Sequence, residues 1–218
     1  MRLARIVGAG VLGYFVGTFP TADLVARRVS GGTVDLRSAG TGNPGGANAA
    51  KVLGTRAGAT VMVGDATKGA LASGFGAMVA GPAGAHLAGS ASVIGHCYPA
   101  WNGFRGGKGV AAGVGQCIAT FPAYVPFNVG VAVLTTTNPR WKQRAFAATV
   151  LSSAAWVAGS VLWWRKQWPN LWGPRPTIGL PLATALSCSV IAYRFVSAVP
   201  LAVQPAATLT PAFATEPA

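Results

Sequence analysis

Acidic side chains are nearly missing from this sequence. Of 218 residues only Asp23, Asp35, Asp65 and Glu216 are acidic. So few and so widely spaced carboxylates provide no ligand set for a two-metal centre, which argues against metal-assisted phosphoryl transfer. Histidine is as scarce. His86 and His96 lack partners at ligand spacing, so no metal is expected. Cys97, Cys117 and Cys188 form no CxxC pair and read as small buried residues. A Gly-x-Ser-x-Gly elbow is missing, which leaves hydrolytic chemistry poorly supported, and no Walker A loop is present. Charge of either sign is sparse, at 10% of residues against about 25% in an average soluble domain.

What remains is apolar and small. The chain is 51% hydrophobic with 30 glycines, and its mean hydropathy is +0.46. Small residues in that number suit helices packed closely in lipid, where backbones approach one another. The net charge of +13 is spread between apolar segments instead of gathering on one amphipathic face. That distribution fits basic loops facing anionic lipid better than a nucleic-acid surface, and no nucleic-acid partner is expected.

The sequence predicts an all-α polytopic membrane bundle of about seven transmembrane helices, with two glycine-rich loops on the cytoplasmic side. Residues 1–199 form the membrane domain, and the Pro/Ala-rich tail 200–218 is expected to be disordered. Ile6–Phe19, behind Arg2 and Arg5, has the flanks of a signal peptide. No small-x-small cleavage site is evident before Asp23, so it is expected to stay as a first helix continuing toward Leu24. Further segments cover about Ala57–Ala80, Ala83–Gly95, Val110–Ala119, Tyr124–Thr137, Ala145–Trp164 and Ile178–Val199. Placing the loops Arg27–Arg56, Gly95–Lys108 and Asn138–Arg144 on one side collects ten bases there, including Lys142. Arg2, Arg5, Arg165, Lys166 and Arg175 fall on the other side, and the majority side is the cytoplasmic one.

Chemistry concentrates in two of those loops. The run Gly95–Ala112 places Gly106, Gly107 and Gly109 around Lys108. Glycine backbone N–H groups and one compact cation make a phosphate pocket at the membrane edge. His96 and Arg105 belong to the same run. The other loop, Asp35–Gly54, sets Thr41, Asn43 and Asn48 as neutral hydrogen-bonding groups and Lys51 as a charge among glycines. Asp65 and Lys68 lie three apart inside an apolar helix and so share a face. They are either functional or a neutralising pair that braces the loops.

At these residues the chain resembles the bacterial acyl-phosphate:glycerol-3-phosphate acyltransferases, the PlsY family. The first family pattern is read at Gly40-Thr41-Gly42-Asn43-Pro44-Gly45-Gly46-Ala47-Asn48-Ala49-Ala50-Lys51, and the second at Gly95–Ala112. The family's Asp-x-x-Lys-Gly is present at Asp65–Gly69. Thr41 stands for serine, Ala47 for threonine and Lys51 for arginine, and Lys51 loses the bidentate fork. The third pattern, His-Arg-Glu-Asn, is met only by Tyr193-Arg194-Phe195-Val196, which keeps the arginine.

The resemblance implies transfer of a fatty acyl group from acyl phosphate to glycerol 3-phosphate, giving lysophosphatidic acid and phosphate without a cofactor. On that reading Thr41, Asn43 and Lys108 are catalytic. Lys51, Asn48, His96, Arg105, Gly106, Gly107 and Gly109 bind substrate, Lys51 with Arg105 on the acceptor phosphate, and Asp65 and Lys68 support them. The acyl chain would lie between helices, in lipid. Two other readings stay open: a non-catalytic relative that holds acyl phosphate or lipid, and a small transporter using Asp65 and Lys68 as a polar path.

Overall fold

The computed structural model describes residues 1–140 and 144–197; the tail 200–218 and Lys142 lie outside the described residues. Within them the chain folds into helices α1 (Arg2–Gly17), α2 (Thr21–Ser30), α3 (Gly46–Leu53), α4 (Thr55–Cys97), α5 (Val110–Thr120), α6 (Val125–Thr137), α7 (Arg144–Lys166) and α8 (Gly179–Ser197). Among the described residues there is no strand. α4 is two limbs. Ala80 (φ −142°, ψ 22°) and Gly81 (φ 63°, ψ −150°) leave the helical region, and Pro82 follows with no N–H to carry the ladder across. Gly76 packs on Gly84, and Gly89 approaches Ser73, so the limbs run antiparallel as a hairpin.

α1, the two limbs of α4, α5, α6, α7 and α8 make seven apolar helices, matching the segments read from the sequence. Four stretches are long and apolar enough to cross a membrane: Arg2–Ser30, Thr55–Asn102, Arg144–Lys166 and Gly179–Ser197. A fifth path is the bent pair Val110–Thr120 and Pro122–Thr137, which turns through 114° at Phe121-Pro122.

Two boundaries differ from the sequence reading. The first helix does not continue to Leu24. It stops at Gly17, and α2 restarts at Thr21 after Pro20, whose ring removes a backbone donor. The loop expected from Arg27 to Arg56 contains most of a turn-rich segment and a short helix, α3. Ala49 of α3 is fully buried against Ala22, Ala26 and Val61 of α2 and α4, and tertiary burial sustains a helix too short to form alone.

Backbone proximity holds the bundle together. A Cβ on Gly13 or Gly17 of α1 would strike the backbone of Ala88 or Ser92, so α1 lies against the second limb of α4 with nothing between them. A buried polar triangle ties α4, α5 and α8. Gln116 Nε2 donates to Ser90 Oγ (3.2 Å), while Ser187 Oγ donates to Gln116 Oε1 (2.7 Å). These contacts orient the helices so that the loops 31–45 and 98–109 emerge at one end. Asn170, Arg165, Lys166 and Arg175 belong to the other end, where Asn170 Nδ2 donates to Thr120 O at the foot of α5 (3.0 Å).

Candidate active site

The first loop is shaped by Asn48. Its Oδ1 accepts from Thr41 N (2.7 Å), and its Nδ2 donates to Leu36 O (3.1 Å) and Ala39 O (2.9 Å). This amide, buried at the start of α3, is committed to folding the loop around itself. It fixes the Thr41 backbone through the bond to Thr41 N and also lines the larger of the site's two cavities.

Arg37 links this loop to the second one, a function the sequence reading missed. Its guanidinium pairs with Asp23 of α2 (Nη1–Oδ1 2.5 Å, Nη2–Oδ2 3.2 Å), and its Nε donates to Arg105 O (2.9 Å). Asn102 Nδ2 donates to the same Asp23 carboxylate (3.1 Å). The signal in the sequence was the scarcity of acids: a lone Asp23 must find a cation, and the nearest free loop supplies one.

The second loop rests on the ends of α1 and α4. Tyr14 Oη donates to Tyr98 O (2.8 Å) and Trp101 Nε1 to Thr18 O (3.2 Å). The N–H groups of Gly106 and Gly107 donate to Cys97 O (3.1 Å) and His96 O (3.2 Å). They are thus occupied, which corrects the expectation that these two N–H groups cradle a phosphate. Gly107 must be glycine because a Cβ there would meet the His96 ring. Gly109 caps α5 with φ 84°, so the N-terminus of an 11-residue helix follows Lys108 directly.

Behind the loops lies a buried charge cluster. Asp65 pairs with Lys68 (2.9 Å) and faces His96 Nδ1 (3.5 Å), and Lys68 Nζ donates to Phe19 O (3.1 Å) at the break between α1 and α2. The two charges found on one face in the sequence therefore neutralise each other and fasten the helix ends beneath the site.

Two cavities open above this floor. One, of about 400 Å³, is rimmed by four cations: Arg37, Arg105, Lys108 and Arg194. The other, of about 630 Å³, has Lys51, Asn48, Asp65, His96 and Gly109 on its polar side and Met62, Val63, Val110 and Val114 on its apolar side. Thr41, Asn43 and Lys108 belong to both, so they form the wall where the cavities meet. Lys51 and Arg105, which the sequence placed on one phosphate, line different cavities. The larger cavity continues past Val110, Val114 and Thr149 into a cleft of about 200 Å³ that ends at Cys117 and Trp156. Burial, and then the Arg194 guanidinium, hold the Lys108 ammonium below the usual lysine range.

The family model for glycerol-3-phosphate acyltransferase matches residues 7–204. Among curated proteins of that name, one from Exiguobacterium sibiricum is 41% identical over 120 residues, 55% of this chain and 57% of the relative. One from Rubrobacter xylanophilus is 40% identical over 151 residues, 67% of this chain and 68% of the relative. The chain thus spans little more than half the length of the first of these relatives. In three dimensions the chain is similar to PlsY, an integral membrane glycerol 3-phosphate acyltransferase solved in its glycerol 3-phosphate form. The TM-score is 0.69 at 24% identity, over 88% of both chains, a likeness of fold. By the extent of the family match, this chain belongs to the glycerol-3-phosphate acyltransferase family.

Proposed function

We propose that this membrane protein transfers a fatty acyl group from acyl phosphate to the 1-hydroxyl of glycerol 3-phosphate, as the first acylation of phospholipid synthesis. The observation that carries the reading is the shared wall. A two-substrate transfer needs one pocket for a long apolar donor, one for a small dianion, and a common boundary where they react. The cation-rimmed cavity suits glycerol 3-phosphate, with Arg105 on its phosphate and Arg37, paired with Asp23, bracing the Arg105 backbone. The larger cavity suits the donor, its acyl chain along Val110 and Val114 and its phosphate between Lys51 and Lys108. This moves Lys51 from the acceptor to the donor.

At the boundary, Thr41 and Asn43 orient the acceptor hydroxyl toward the acyl carbonyl. The hydroxyl oxygen bonds to the carbonyl carbon, the bond from that carbon to the phosphate oxygen breaks, and phosphate leaves with the electron pair. Lys108 and the α5 N-terminus stabilise the charge that builds on the leaving group. Asp65 is engaged by Lys68 and His96, so the hydroxyl proton is assigned to a substrate phosphate oxygen. The ten basic residues counted for the loop side support a cytoplasmic position for those loops in a bacterial cell membrane.

The test is direct. Purified protein in nanodiscs, supplied with palmitoyl phosphate and glycerol 3-phosphate, should release lysophosphatidic acid and inorganic phosphate in equal amounts. Binding of palmitoyl phosphate without turnover would refute the transferase reading and leave a lipid-binding protein.

A further inference from the structure

The end of α8 departs from the family pattern, yet it touches the most important loop of the site. Arg194 donates from Nη2 to Gly106 O (2.7 Å) and from Nε to Gly107 O (3.1 Å), with its guanidinium carbon 5.3 Å from the Tyr98 ring centre. The N–H groups of the same two glycines are held by the carbonyls of Cys97 and His96. The two glycine residues before Lys108 are therefore fixed from both sides, by α4 through their N–H groups and by α8 through their carbonyls. The next residue of α8 takes the side chain. Lys108 Nζ lies 4.1 Å from the centre of the Phe195 ring, which is backed by Phe146 of α7 at 6.0 Å.

Among the described residues Lys108 makes no ion pair. The carboxylates of Asp23 and Asp65 are paired with Arg37 and Lys68. This matters chemically. A carboxylate partner would cancel the lysine charge and compete with a phosphate for it, whereas an aromatic face holds an ammonium while leaving its N–H bonds free to point elsewhere. From these contacts we propose that Arg194 and Phe195 are positioning residues for Lys108. Arg194 locks the backbone that leads into it, and the Phe195 ring steers its ammonium to the wall shared by the two cavities. The inference rests on the acyl-transfer reading above. It assigns a role to the segment Tyr193–Val196, where the third family pattern is otherwise lost.

The test compares Phe195→Leu, Phe195→Tyr and Arg194→Ala with wild type in the palmitoyl phosphate assay. Loss of the ring should lower kcat about tenfold, the size of a desolvated cation–π contact, while both KM values stay within about twofold. Phe195→Tyr, which keeps the ring, should restore kcat to within about twofold of wild type. Arg194→Ala should also act on kcat. Where Phe195→Leu does not fold, fluorinated phenylalanines at 195 keep the shape and weaken the ring's negative face, and log kcat should fall with each fluorine. Three results would overturn the proposal: Phe195→Leu at wild-type kcat, Phe195→Tyr as impaired as Phe195→Leu, or Arg194→Ala raising only the KM of glycerol 3-phosphate. The last would make Arg194 a direct phosphate ligand. An inactive wild type would remove the transferase reading and this inference together.

Discussion

Separation of Lys51 from Arg105 makes a crossed prediction. If the larger cavity takes the donor and the cation-rimmed one the acceptor, Lys51→Ala should raise KM for acyl phosphate, and Arg105→Ala should raise KM for glycerol 3-phosphate. Neither should move the other constant. The size follows from exposure. A charge-assisted hydrogen bond contributes about 1.5–3 kcal/mol when water is excluded. Lys51 and Arg105 are both solvent-exposed, so screening leaves roughly 1 kcal/mol of it. One kcal/mol corresponds to about a fivefold rise in KM. The same screening supplies a control, because the effect should shrink as salt is raised and the Debye length falls from ~10 Å at 0.1 M to ~3 Å at 1 M. The assay is a matrix of initial rates with both substrates varied, at two ionic strengths. A Lys51→Ala enzyme whose acceptor KM rises while its donor KM is constant would refute the division of the cavities and return Lys51 to the acceptor.

Three other outcomes follow from the same geometry. Lys108→Ala, which removes the cation common to both cavities, should lower kcat by about a hundredfold or more without loss of the folded protein, as read by thermal unfolding in detergent. The Lys108 ammonium acts only when protonated and loses its proton at lower pH than an ordinary lysine. The alkaline limb of kcat should therefore come early and move to higher pH when Arg194 is replaced by Gln, which a pH–rate profile measures. Gly17→Leu should separate α1 from α4, where a side chain would enter the backbone of Ser92, and destabilise the protein by roughly 1–3 kcal/mol; an unchanged unfolding temperature would contradict that packing.

The bundle was legible in the sequence because its determinants are local. Seven apolar runs and prolines at 20, 82 and 122 act within a few residues of where they stand. The two loops and their common end of the bundle were legible for a different reason: positive charge sorts them. Two features could not be read that way. α3 depends on Ala49 meeting α2 and α4, a long-range burial that no window of its own residues reveals. The occupied N–H groups of Gly106 and Gly107 depend on where the end of α4 lies, so a glycine-rich run suggested a phosphate cradle that the fold had already filled from behind.

Arg37 and Phe195 show what that limit means for the site. Each was ordinary in the sequence, one base among seventeen and one aromatic in a divergent stretch. Each gained its role from a partner far along the chain. Arg37 reaches Asp23 and the carbonyl of Arg105, and Phe195 lies under Lys108. With only four acids in the chain, carboxylates cannot organise this many cations. Carbonyl oxygens and an aromatic face take over that work at Arg105, Gly106, Gly107 and Lys108. These acceptors are neutral, so they direct Arg194 and Lys108 without discharging them, while among the described residues Arg37 alone of the rim cations is also paired with a carboxylate, Asp23. A site meant to attract two phosphates at once needs that property: a carboxylate at each position would lower the positive potential on which both substrates depend.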